Sequence, residues 1–155
     1  MKKVILILAA SLLISPVIFA EEKKVDPQNA SQTISENAGK PDKIDLPFVD
    51  DPDIVGEWKS IDFVNEISEF KPGEKQWKED LYLKEMIFEK EGKTFKPFWT
   101  WTKNVIIHSG DKTASKYEIK EINGGKYMFF EWKSGDVILR GMKPRYYVLK
   151  KEDAK

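Results

Sequence analysis

The chemistry open to this chain is bounded by its scarcest reactive residues: His108 is the only histidine, and there is no cysteine. Zinc is held by clusters of thiolate, imidazole and carboxylate, so a single imidazole without thiols predicts no metal centre. A Ser–His nucleophile pair needs a serine brought to His108; Ser109 and Ser115 are near in sequence, but no local signature accompanies either. Carboxylates are plentiful, and Glu85 and Glu131 both fall on strand-like segments. Glycoside hydrolysis requires two such groups roughly 5 to 9.5 Å apart across a cleft. Alternation of carboxylates with Lys84, Lys120 and Lys133 is explained as well by exposed cross-strand ion pairs. Asp111-Lys112-Thr113 begins like a calcium loop but lacks the alternating acidic series and the closing Glu. No catalytic residue and no cofactor is expected.

Aromatic rings carry the remaining potential. Trp99, Trp101, Tyr127, Phe129 and Trp132 concentrate in two strand-like segments, where their faces could stack on a sugar ring or an apolar ligand. With Glu131 as the one polar anchor, these six are the expected ligand contacts. The same rings suit a filled interior, because an eight-stranded barrel is just wide enough to be packed by side chains. Trp77 stands alone in the polar stretch Gln76-Trp77-Lys78 and is expected to be a lid or a partner contact.

The elements that must position these residues follow from punctuation along the chain. Lys2 and Lys3, an apolar run over 4–14, the breaker Ser15-Pro16 and the small-residue end Ile18-Phe19-Ala20 have the order of a secretory signal over 1–20. The run is short for a membrane span, and no second one follows, so no stable span is expected after cleavage. Secreted or periplasmic localisation, in a bacterial host, is the expectation. Without Lys2 and Lys3, 24 basic residues face 26 acidic ones, which excludes the basic excess of a nucleic-acid binder. Residues 21–52 are polar with isolated apolar positions and are expected to be a disordered leader, with Leu46-Pro47-Phe48-Val49 docking as an extended strap as the alternative.

Residues 53–151 then form one domain, followed by a tail over 152–155. Short segments at 54–64, 81–89, 94–102, 105–108, 115–122, 126–133, 137–142 and 145–150 read as strands. Asn123-Gly124-Gly125 marks a hairpin, and 65–79 is a longer connection. Short turns favour an antiparallel up-and-down barrel of about eight strands over a parallel sheet, which needs long crossovers.

Gly56-Glu57-Trp58, at the head of the first strand, resembles the Gly-x-Trp signature of the lipocalin and wider calycin barrels. The resemblance implies structural roles for Gly56 and for Trp58 as the barrel floor, and an arginine from the last-strand region packed across the indole. Arg140 and Arg145 are the only candidates. A second resemblance covers Asp111-Lys112-Thr113-Ala114-Ser115-Lys116-Tyr117, Phe130-Glu131-Trp132-Lys133-Ser134-Gly135-Asp136 and Arg140-Gly141-Met142-Lys143-Pro144. These stretches look like an uncharacterised bacterial extracytoplasmic module found on beta-lactam-sensor-type membrane metallopeptidases, which implies a sensing or binding appendage. The His-Glu-x-x-His motif of such peptidases is absent from the chain. The functional expectation is a non-enzymatic binding module for a small apolar or ring-containing ligand, with a protein-interaction or sensing domain around a filled core as the alternative.

Overall fold

The structure, a computed structural model, describes residues 42–133, 137 and 140–153. The expected signal and the leader up to residue 41 lie outside the described residues. Seven strands are seen among the described residues: β1 Gly56–Val64, β2 Glu85–Phe88, β3 Trp99–Thr102, β4 Val105–His108, β5 Thr113–Ile122, β6 Gly125–Trp132 and β7 Arg145–Lys151. All pairings are antiparallel in the order β2-β1-β7-β6-β5-β4-β3. Because β7 returns to pair with β1, the meander curls into a nearly closed barrel. The seam between β2 and β3 is bridged by the turn that joins them: Phe88 pairs with Thr94, Lys93 with Thr100, and the backbone N–H of Trp101 donates to the Gly92 carbonyl at 2.9 Å. The edges are thereby covered, which protects the sheet from edge-to-edge association.

The hairpin expected at Asn123-Gly124 forms as a two-residue loop. Ile122 pairs with Gly125, and the two loop residues have φ of 51° and 76°, values that match the twist of the flanking strands. The strand expected over 137–142 lies partly outside the described residues, and its described positions are not extended in the sheet. Val137 and Arg140 are helical, and β6 is paired directly with β7. The apolar triplet Val137-Ile138-Leu139 is too short to distinguish a strand from a helical turn by periodicity. The expected second and third strands are also shorter than their apolar patterns, with Leu81 and Leu83 packing into the core from a loop.

Inward side chains fill the barrel. Trp58, Met86, Phe88, Ile106, Met128, Phe130 and Leu149 are each at most 1% exposed, and with Trp101, Tyr117 and Tyr147 they form one cluster. The Tyr117 hydroxyl donates to Asp51 at 2.8 Å; burial first, then this bond, pushes its ionisation well above the ordinary tyrosine range, so it stays a donor. A second cluster lies on the outer face, where Phe70 of the β1–β2 connection covers Tyr127, Phe129, Val64 and Val148. That connection contains a single 3-10 turn, Ile67–Glu69.

Residues 42–52 take the strap form rather than the disordered one. Asp42 accepts from the Ala114 N–H at 2.9 Å and from Lys133 at 2.7 Å. Thr102 Oγ1 accepts the Val49 N–H at 2.8 Å and donates to the Pro47 carbonyl at 3.0 Å, and the Lys103 N–H donates to the Val49 carbonyl at 2.9 Å. Phe48 sits edge-on to Trp101 with centroids 5.4 Å apart. Thr102→Val keeps the shape of this seat and deletes its hydroxyl. The expected result is about 1 kcal/mol less strap docking, read as a roughly fivefold rise in Val49 amide exchange with little change in global stability. Unchanged exchange at Val49 would show that the hydroxyl does not hold the strap.

Candidate functional site

The two ends of the barrel are built differently. At the end where β1 begins, Trp58 is fully buried and its indole N–H donates to the Ile54 carbonyl at 2.6 Å. The cation over its ring is Lys151, 5.3 Å from the centroid, and the same ammonium donates to the Asp53 carbonyl at 2.7 Å. This corrects the expectation of an arginine: Arg140 is helical, exposed and outside β7, while Arg145 lies at the opposite end of that strand. Burial, and then Lys126, hold Lys151 below the ordinary lysine range. Gly56 has φ +129°, and a Cβ there would come within 3.2 Å of Lys151 Cε, so the glycine makes room for the lysine stem. Gly56, Trp58 and Lys151 thus act as one closure of the floor.

At the other end the core runs out in half-buried rings. Arg145 and Trp132 are direct cross-strand partners. The guanidinium lies over Phe63 at 4.6 Å and over Trp77 at 5.4 Å. Ring contacts continue from Trp77 to Phe63 (5.3 Å), to Tyr147 (4.6 Å), to Trp132 (5.2 Å), and outward to Tyr82 (6.2 Å). A second branch passes from Trp132 through Phe130 to Trp99 and on to His108, whose ring is 4.5 Å from Trp99. Tyr82 is 85% exposed and Phe98, beside Trp99 in sequence, is 67% exposed. Trp77 therefore covers Phe63 at this end of the barrel, and its backbone is held from below. Its N–H and that of Gln76 donate to the buried Asp62 carboxylate at 2.8 and 3.0 Å. Asp62 sits at a β-bulge, where pairing with β7 slips between Ser60 and Asp62.

The six expected contacts divide between the two faces of the barrel, as the period-2 alternation of strands requires. Trp99, Trp101 and Trp132 belong to the inner cluster. Tyr127 and Phe129 pack outward beneath Phe70, and Glu131 accepts the Lys116 N–H at 2.9 Å. Trp101 is buried, and its indole N–H is shared between the Glu89 and Lys93 carbonyls at 2.9 and 3.0 Å. Of the six, only Trp99 and Trp132 belong to the half-buried aromatic end. Glu85 and Glu131 lie on β2 and β6 with β1 and β7 between them, roughly 14 Å along the sheet at the usual strand spacing, so they do not form an acid–base pair. His108 Nδ1 is 3.0 Å from the Asp111 carboxylate, with its ring against Trp99. Among the described residues no group of three histidine or acidic side chains is placed to hold a metal ion, and no helix is long and apolar enough to cross a membrane.

Surface clefts lie elsewhere. One of about 600 Å³ is lined by Phe48, Asp50, Pro52, Val55, Lys90 and Glu91 beside the strap. Another of about 440 Å³ runs between the 3-10 turn and the outer faces of β5 and β6. Sequence reasoning missed Asp62 and Lys151. The signal for the first was one acid interrupting the apolar stretch Ser60-Ile61-Asp62-Phe63-Val64; for the second it was inward parity with Tyr147 and Leu149. The chain matches no known protein family, no curated protein and no solved structure.

Proposed function

We propose that this chain is a non-enzymatic, extracytoplasmic binding module of lipocalin-like architecture, which takes a ring-containing ligand on the aromatic end of the barrel rather than inside it. The observation that carries this reading is the contrast between the ends: the floor is sealed by a fully buried Trp58, whereas Trp77, Trp99 and Trp132 are half-buried and Tyr82 is exposed. A filled interior has no room for an apolar guest, which needs most of its surface enclosed. An open row of rings suits a sugar, whose C–H face stacks on an indole while its hydroxyls stay in water. The Ile18-Phe19-Ala20 boundary supports export, and the second resemblance in sequence supports a sensing or binding appendage over a catalyst.

Titration of the purified protein with neutral and acidic oligosaccharides, followed by tryptophan fluorescence, tests the reading. A ligand that shifts the emission is expected to bind about tenfold more weakly to Tyr82→Ala, whose side chain is 85% exposed, and to Trp132→Ala. Thermal unfolding of Tyr82→Ala should match the parent. Emission insensitive to every sugar, combined with capture of a protein partner, would transfer the role to an interaction surface.

A further inference from the structure

We infer that the aromatic end selects a ring bearing a carboxylate, the uronic acid class of sugar, through the guanidinium of Arg145. This rests on the ring-stacking reading proposed above and adds to it a sign of charge. Only two of the 26 basic residues are arginine, and Arg145 is the one whose group lies over the ring array. Its guanidinium carbon lies 4.6 Å from the Phe63 centroid and 5.4 Å from that of Trp77, two rings that stand nearly perpendicular to each other. Two ring contacts of that kind hold the head group in place while its five N–H donors are not consumed by the rings, and an ammonium offers no such planar fork.

Those donors have no carboxylate of the protein among the described residues. Glu66 pairs with Lys143, and Glu131, next to Trp132 in sequence, points to the outer face and accepts from Lys116. Lys59, Lys126 and Lys133, by contrast, each have a carboxylate partner. A fork of parallel N–H donors matches the two oxygens of a carboxylate, and one guanidinium balances one negative charge. Trp132, directly across the strand pair from Arg145, places a half-buried indole on the same side of the sheet as that charge. The shelf is preformed, because Asp62 holds the backbone of Trp77, so little ordering is left to oppose binding.

The test compares oligogalacturonate with its fully methyl-esterified form, which keeps the ring and removes the charge. Expected is about tenfold tighter binding of the acid in low salt, a preference that shrinks toward unity in molar salt. Arg145→Gln should bind acid and ester alike at the ester's affinity, and Arg145→Lys should keep only part of the preference. Equal binding of acid and ester by the parent, or a preference that survives in Arg145→Gln, overturns the charge selectivity and leaves the stacking platform standing. If neither sugar binds, both readings fall. Should Arg145→Gln fail to fold, the salt dependence of the parent and the Arg145→Lys comparison decide. Equal preference for a sulfated sugar would reassign the group to anions in general and overturn the carboxylate specificity.

Discussion

Trp58→Ala is expected to destabilise the protein by about 3–5 kcal/mol, measured by urea unfolding, because truncating a fully buried indole removes its transfer free energy and leaves a cavity. Three features of the floor put the effect toward the upper end. The ring is 0% exposed within the inner cluster. Its N–H satisfies the Ile54 carbonyl, which would be left buried without that donor. Lys151, held over the ring at 5.3 Å, would lose the surface its stem lies on. A domain of this size has about 5–15 kcal/mol in total, so the variant should sit near the edge of folding at 37 °C. Trp58→Phe separates packing from the hydrogen bond: it retains most of the apolar contact and orphans the carbonyl, at a cost of about 1–3 kcal/mol. A loss below 1 kcal/mol for Trp58→Ala would falsify the closed floor.

The barrel was legible in the sequence because its signals are local. Asn123-Gly124 specifies a two-residue turn, and short apolar runs between turn residues leave no length for parallel crossovers. The face assignment was less legible. Tyr127, Phe129 and Glu131 alternate with Met128, Phe130 and Trp132, so both faces of β6 carry aromatic mass. Which face is interior depends on Phe70, 57 positions before Tyr127 in the numbering, folding back over the outer one. No period within the strand contains that information. The exchange of an expected arginine for Lys151 has a similar cause. A cation above Trp58 is demanded by position at the far inward end of β7, and the last inward residue there is a lysine; Arg145 is inward too, but at the other end, where it finds Phe63 and Trp77 instead. The strap was visible as Leu46-Pro47-Phe48-Val49, yet its docking depends on Thr102 and on a T-shaped contact with Trp101, both more than 50 residues away.

Asp62 links the fold to the aromatic end, and its removal should have the second largest effect. The carboxylate is 1% exposed and accepts three backbone N–H groups, from Phe63 at 2.9 Å, Gln76 at 3.0 Å and Trp77 at 2.8 Å. Bonds to an ionised acceptor are stronger than neutral ones. Asp62→Ala strands those donors in a partly buried site, and a cost of about 2–4 kcal/mol is expected, tempered by water entering beneath the loop. Asp62→Asn should recover only part of it, because an amide presents one acceptor oxygen where the carboxylate used two toward Gln76. The loss should be local in character: amide exchange should rise most at Gln76 and Trp77, and the guanidinium of Arg145 should lose one of its two ring supports. Amides of β5 and β6, far from the bulge, should keep their relative protection. If Asp62→Ala leaves stability within 0.5 kcal/mol of the parent and Trp77 as protected as before, then the loop is held by Phe70 against the outer face, and the placing of Trp77 owes nothing to the buried acid.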